Sequence, residues 1–140
     1  MDISATIRAL LVADAGVSAV TTNVYSDALP QRVTLPAIHY FVVSTDPEHT
    51  TGATNIEAIT RARIQVDAFA DSRSAANSLG HLIRLALDTQ GRGDNDGTFV
   101  NDILLAEGEK HMFDRPESGS DRRRYVTSQD FFVWYRTTTS

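Results

Sequence analysis

Histidines are the residues in this sequence best suited to metal binding or acid–base chemistry. There are four, His39, His49, His81 and His111. The local patterns place them on a strand, a loop, a helix and a further strand segment, and no pair has the i, i+4 spacing of a helical metal site. We therefore predict no metal ligation, and we interpret His81, which lies beside the apolar face of a helix, as structural.

Two close pairs of acidic residues are the next candidates for chemistry. Asp94 and Asp96 form one pair, and Glu107 and Glu109 form the other. Both pairs lie in polar segments that are typical of loops, where a carboxylate is solvated and its pKa is not tuned by burial. A metal-dependent hydrolase that uses Asp94, Asp96 and Asp102 with a divalent ion stays open as the weakest alternative.

The segment Arg92 to Gly97 has the composition of a calcium loop. Aligning Gly97 with the invariant glycine of such a loop puts Arg92 at position one and Ile103 at position twelve, where a bidentate glutamate is required. We exclude a calcium loop on this ground. The Arg-Gly-Asp triplet within the segment is interpreted as turn chemistry.

Motifs for nucleophilic catalysis are missing from the sequence. The chain has no cysteine, and it has no Gly-x-Ser-x-Gly elbow, phosphate-binding glycine loop or dinucleotide fingerprint. The absence of cysteine also excludes thiolate zinc sites, iron–sulfur clusters and disulfides. We expect a protein that is not an enzyme and that binds no cofactor and no metal.

Basic residues are almost all arginine: of the 13 lysine and arginine residues, only Lys110 is lysine. This bias favours protein contacts, because the guanidinium fork suits interfacial ion pairs, although genomic base composition explains it equally well. The only cluster is Arg122 to Arg124, followed by Tyr125. Three arginines neutralise few phosphates, and the net charge is −5, so we interpret the cluster as ion-pair partners on a sheet face or subunit interface rather than a nucleic-acid site.

These residues have to be positioned by one domain, because the chain has 140 residues, of which 41% are hydrophobic. No apolar run reaches the about 18 residues of a membrane span, and the first residues lack the pattern of a signal peptide. We predict a single domain over residues 1–140 with no membrane partner.

The clearest strand is Arg61 to Ala68, which alternates between apolar and polar residues, so that one face is buried and the other is charged. Further strands are predicted at Val24–Ser26, Ala37–Thr45 (ending at Asp46-Pro47), Phe99–Ala106, Gly108–Asp114 and Arg123–Arg136. We predict that a subunit interface uses six charged residues on or directly beside two of these strands: Arg61, Arg63, Asp67, Arg122, Arg123 and Arg124.

Apolar residues at helical spacing predict two helices. The first covers Asp2 to Ala15, with Gly16 as its stop. The second follows an N-cap at Asp71 or Ser72 and ends at Asp88. The order of elements predicts an α+β fold, in which a mostly antiparallel β-sheet carries two α-helices packed on one face.

Three segments rich in glycine and polar residues are predicted to be loops: Glu48–Asn55, Thr89–Gly97 and Arg115–Arg122. The first and third join neighbouring strands, so they are expected to form the tips of long hairpin loops.

Three segments, taken in order, carry a family resemblance. They are Leu35–Tyr40 (LPAIHY), Arg61–Asp71 (RARIQVDAFAD) before an Ala/Leu-rich helix, and the closing Gln129–Arg136 (QDFFVWYR). Together they resemble the tail-completion (tail-terminator) proteins of long-tailed bacteriophages over nearly the whole chain. The segment Glu107 to Asp121 departs from the family pattern in being longer and more polar.

The resemblance implies a structural virion protein that forms a hexameric ring at the head-proximal end of the tail tube. Such a ring stops polymerisation of the tube protein, joins the tail to the head-side connector, and lets DNA pass through its channel without specific binding. A head-closure or neck protein is the alternative. A cysteine-free chain permits assembly in the host cytoplasm. We expect contacts to neighbouring rings from both loop tips: Glu48, His49, Thr50, Thr51, Gly52, Glu117 and Ser118.

Overall fold

The computed structural model describes residues 3–27, 29–30, 33–48, 59–88, 93–95, 98–106, 109–114 and 124–137. Within these ranges three helices and seven strands follow one another along the chain. In order they are α1 Ile3–Ala13, α2 Ala15–Val20, β1 Val24–Ser26, β2 Ala37–Glu48, β3 Ile59–Ala70, α3 Arg73–Leu87, β4 Gly93–Asn95, β5 Thr98–Leu105, β6 Lys110–Asp114 and β7 Arg124–Thr137.

The described strands form one sheet in the order β1-β2-β3-β7-β5-β4, and β6 lies beside β7 next to β5. Every pairing is antiparallel except that of β1 with β2. The long β7 pairs with β3 along one side and with β5 and β6, one after the other, along the other side. The predicted α+β class with a mostly antiparallel sheet is confirmed.

The core lies between the helices and one face of the sheet. On β3 the alternating residues Ala62, Ile64, Val66 and Ala68 are fully buried in it, as the sequence pattern predicts. We call the opposite face of the sheet, on which none of the described helices packs, the open face. Because neighbouring side chains alternate, the open face of β3 carries Arg61, Arg63, Gln65, Asp67 and Phe69.

Helix α3 is the largest element of the helical layer, and it matches the sequence prediction closely. Ser72 is its N-cap, where the side chain accepts a hydrogen bond of 3.1 Å from the backbone N–H of Ala75. Ile83 is completely buried, whereas Leu82 is half-buried against the same cluster. Arg73, in the first turn, donates to the carbonyl oxygens of Met112 and Val126 and so ties α3 to β6 and β7.

The prediction that Gly16 ends the first helix is wrong. Helix α1 ends at Ala13, and Gly16 lies inside α2, a short third helix that the sequence pattern does not separate from α1. The break is made by Asp14, whose carboxylate accepts a hydrogen bond of 2.9 Å from the N–H of Val17 and caps α2.

Two predicted loop boundaries are also wrong. Strand β2 continues through Pro47 to Glu48, which is therefore a strand residue and not part of a loop tip. Proline is tolerated there because β1 covers only the beginning of β2, and an edge strand does not need every N–H. The segment Thr89 to Gly97 contains β4, which pairs with the start of β5 as a short hairpin.

Candidate functional site

Four of the six predicted interface residues lie on the open face within the described ranges. Arg61, Arg63 and Asp67 project from β3, and Arg124 on β7 stacks over the ring of Phe69. Arg122 and Arg123 lie outside the described residues. So do six of the predicted ring contacts: His49, Thr50, Thr51, Gly52, Glu117 and Ser118.

Asp67 is buried on the open face although none of the described helices covers that face. Its carboxylate is held by the neighbouring strand, where Nδ1 of His39 lies 3.2 Å from Oδ2, and by Gln65, whose side-chain amide donates to both oxygens. The register of β2 against β3 places His39 directly opposite Asp67. Sequence reasoning missed this pair, since it did not align the two alternating strands.

The two ring nitrogens of His39 both face acceptors. Nε2 lies 2.6 Å from the carbonyl oxygen of Asp27, which follows β1 and has a φ of 65°. Only the imidazolium can donate to the Asp67 carboxylate and the Asp27 carbonyl at once. The hydrogen bond with Asp67 therefore raises the pKa of His39 against the opposing effect of burial.

This geometry gives His39 a structural role, in which its ring joins two segments of the chain, rather than the role of a catalytic base. A general base needs a ring nitrogen that is open to a substrate proton, and both nitrogens are engaged within the chain. The ring also lies against Phe41 and Phe69, with centroids 5.6 and 6.5 Å away. His39 thus holds the turn after β1 against the open face.

A second buried carboxylate on the open face is Asp130 of β7. Nε of Arg63 donates to its Oδ2 over 2.8 Å, and a second guanidinium nitrogen contacts the same oxygen. Only 7% of the Asp130 side chain is exposed, against 32% for Arg63. The pair joins β3 to β7 across the open face, and the charge of Arg63 is therefore balanced by Asp130 within the chain.

Arginine side chains also cover aromatic rings on the open face. Arg61 lies 4.9 Å from the centroid of Phe132 and forms a more exposed ion pair with Asp46, at 3.5 Å. Arg136 lies 4.9 Å from the centroid of Phe99. Phe132 and Trp134 are neighbours on the same face, with centroids 5.9 Å apart. Arginine, phenylalanine and tryptophan in this arrangement are typical of protein interfaces.

The part of the chain that the structure describes does not bring together side chains suited to metal binding or hydrolysis. It contains no group of three histidine, cysteine or acidic residues that could hold a metal. The described helices are all too short or too polar to cross a bilayer. The hydrolase alternative is not supported by the described residues: Asp102 lies on β5, while the side chains of Asp94 and Asp96 lie outside the description.

Comparison with known proteins gives one family match. The model of the family described as "Tail completion protein gp17" matches residues 5–139. A solved chain from the virion of a native gene transfer agent particle is 18% identical, with a TM-score of 0.59 over 96% of this chain and 94% of that one. A second solved chain is 14% identical, with a TM-score of 0.48 over 92% of this chain and 94% of that chain. No curated protein matches the chain.

Proposed function

Since the chain belongs to the tail completion protein gp17 family and is a structural protein of a phage tail, we propose that it forms a hexameric ring at the head-proximal end of the tail tube. The ring ends polymerisation of the tube and joins the tail to the head-side connector. Its partners are further copies of the chain, the tail tube protein and a connector or neck protein.

The observation that carries this proposal is the open face. None of the described helices covers this face, and it exposes aromatic and arginine side chains, which are enriched where proteins contact one another. The charges of Arg63 and Asp67 are already paired within the chain. We infer that these pairs hold the sheet in shape for the subunit contact, while Arg61 and Arg124 supply stacking surface at its rim.

The charge of the chain supports a channel that DNA passes through without being held. With a net charge of −5, a subunit repels the phosphate backbone, and a protein that binds DNA draws most of its affinity from neutralising phosphates. A ring of such subunits lets the double helix slide.

Electron cryomicroscopy of the assembled particle tests the proposal. We expect six copies of the chain in one layer between the last ring of tube protein and the connector. Copies in the connector itself would instead support the head-closure alternative. A layer with another symmetry, or copies elsewhere in the particle, would contradict the hexameric ring.

A further inference from the structure

Strand β2 has a long backbone edge that no described strand covers. β1 pairs only with Ile38, His39 and Tyr40, whereas β2 continues to Glu48. The N–H of Ile38 donates to Asn23, and the carbonyl of Tyr40 accepts from Asp27, so the backbone groups of these two residues point away from β3. We call residues 42–47, which extend beyond β1, the β2 edge.

Alternation along β2 fixes which groups the β2 edge offers. Val42 repeats the direction of Tyr40, and its N–H and carbonyl point away from β3. A bulge at Val43 follows, after which Ser44 pairs with Arg63 and Thr45 points outward again. Pro47 has no N–H to offer. The β2 edge therefore presents, at Val42 and Thr45, backbone donors and acceptors that no described strand engages.

The opposite side of the sheet has a second edge at β6, which is level with the start of β2 rather than with residues 42–47. This strand pairs with β7 on one side, and no described strand pairs with it on the other. Its five residues, Lys110–Asp114, approach the length of the β2 edge. We call its outer side the β6 edge.

Exposed apolar side chains accompany both edges. Val43 at the bulge is 46% exposed, and Met112 on β6 is 47% exposed. The outer edge of β1, by contrast, is covered by a side chain. Arg8 donates a hydrogen bond of 2.6 Å to the carbonyl oxygen of Val24 on this strand. An open edge flanked by an apolar side chain is a template for another strand.

The strand directions determine how two copies would meet. β2 is antiparallel to β3, β3 to β7 and β7 to β6, so β2 and β6 run in opposite directions. A copy in the same orientation, shifted along the strand direction until its β6 lies level with residues 42–47, brings β6 against β2 as an antiparallel pair. Such a head-to-tail contact uses different edges on the two copies and generates a ring when the rotation closes.

We propose that the β6 edge of one copy pairs with the β2 edge of the next copy and continues the sheet across the subunit boundary. This deepens the proposed function and rests on it, since it adds a strand-to-strand contact at the sheet edges to the subunit contact of the open face. The occupant is a second copy of the chain, because each copy carries both edges on opposite sides of one sheet.

The test blocks one edge at a time in the full-length chain. Lysine on an edge opposes strand pairing, so we expect Val43→Lys and Met112→Lys each to weaken self-association at least tenfold, measured by sedimentation over a range of concentrations. Val20→Lys is the matched control, because Val20 is 45% exposed but lies on α2. The control should change self-association less than about twofold, and circular dichroism should show all three variants folded.

Mixing the two edge variants gives a sharper result. Each retains the edge that the other lacks, so Val43→Lys and Met112→Lys together should form a one-to-one dimer and nothing larger, as read by native mass spectrometry. If either edge variant self-associates as strongly as the wild-type chain, the strand pairing is overturned even if imaging finds a hexameric ring. A wild-type chain that stays monomeric at millimolar concentration also overturns it, while the place of the protein in the tail is decided separately by imaging.

Discussion

Gln129 on β7 donates a hydrogen bond of 2.7 Å to the carbonyl oxygen of Gly80, in the middle of α3. The helix lies so close to the strand at this point that a Cβ atom on Gly80 would come within 2.8 Å of Cγ2 of Thr127. Thr127 itself donates to Asn77, one turn earlier on α3. Gly80 thus sets the distance between helix and sheet.

Gly80→Ala should destabilise the protein by up to about 2 kcal/mol. Alanine favours the helix by about 1 kcal/mol, but forcing a methyl group against Thr127 costs more, typically about 1–3 kcal/mol. Urea denaturation measures the free energy of unfolding. Ser78→Ala, on the exposed side of the same helix, is the control and should be neutral or slightly stabilising. A Gly80→Ala variant as stable as wild type would mean that β7 yields easily.

His39 should make stability depend on pH. The fold raises the pKa of His39 above its ordinary value of 6.5, so the folded chain holds the proton more tightly than the unfolded chain. Its contribution is fully present below pH 6.5, and it is lost as the pH rises from there through the raised pKa of the folded state.

His39→Gln removes this contribution, so the stability difference between wild type and variant should be larger at about pH 5.5 than at about pH 9. Thermal unfolding across this range measures it. Ser78→Ala, at an exposed position on α3, removes no titratable group and should leave the pH profile parallel to that of wild type. A His39→Gln difference that stays constant with pH would show that folding leaves the pKa of His39 unchanged.

Arg63→Ala leaves the buried carboxylate of Asp130 without its guanidinium. We expect a loss of about 1–3 kcal/mol, less than for a fully buried pair because Arg63 is partly exposed. Arg61→Ala removes the exposed pair with Asp46 and should cost under about 1 kcal/mol. Equal losses in urea denaturation of the two variants would contradict the special role of Arg63.

Ile83→Ala should cost about 2–5 kcal/mol, because it opens a cavity in the centre of the core. Leu82→Ala, from the same helix, should cost less, since Leu82 is only half-buried. Leu85→Ala is the control at an exposed position and should be close to neutral. A loss below about 0.5 kcal/mol at Ile83 would mean that the core readjusts around it.

Deleting residues 49–54 should leave the domain folded and block the joining of tails to heads. The deleted residues are polar or small, so their loss removes little apolar contact. Circular dichroism checks folding, and electron microscopy of infected cells checks for unjoined tails and heads. Joined, infectious particles from the deletion mutant would show that this segment makes no necessary contact.

The core-facing residues of the fold could be predicted from the sequence because they follow the periodicity of strands and helices. Ala62, Ile64, Val66 and Ala68 alternate, and the structure buries all four. The N-cap of α3 follows in the same way from Ser72, whose hydroxyl can reach the first turn. Local patterns of this kind need no knowledge of any distant segment.

The open face was less predictable, since its partners depend on register between distant strands. Asp67 and Asp130 look like solvated charges on alternating strands, and only the pairing of β3 with β2 and β7 shows that His39 and Arg63 bury them. The parallel pairing of β1 with β2 and the three-residue β4 lack a sequence signal for the same reason. Such features are set by tertiary contacts and not by local propensity.

The central position of β7 has a consequence for biosynthesis. β3 and β5 are separated in the sheet by a strand that begins only at Arg124. A nascent chain that has emerged as far as β6 therefore has β1–β3 and β4–β6 but lacks β7, the strand that joins these two groups. One side of β3 is then unpaired. The sheet cannot close until residues 124–137 have left the ribosome. Chaperone protection would matter most in that interval, when an unpaired β3 is open to misfolding.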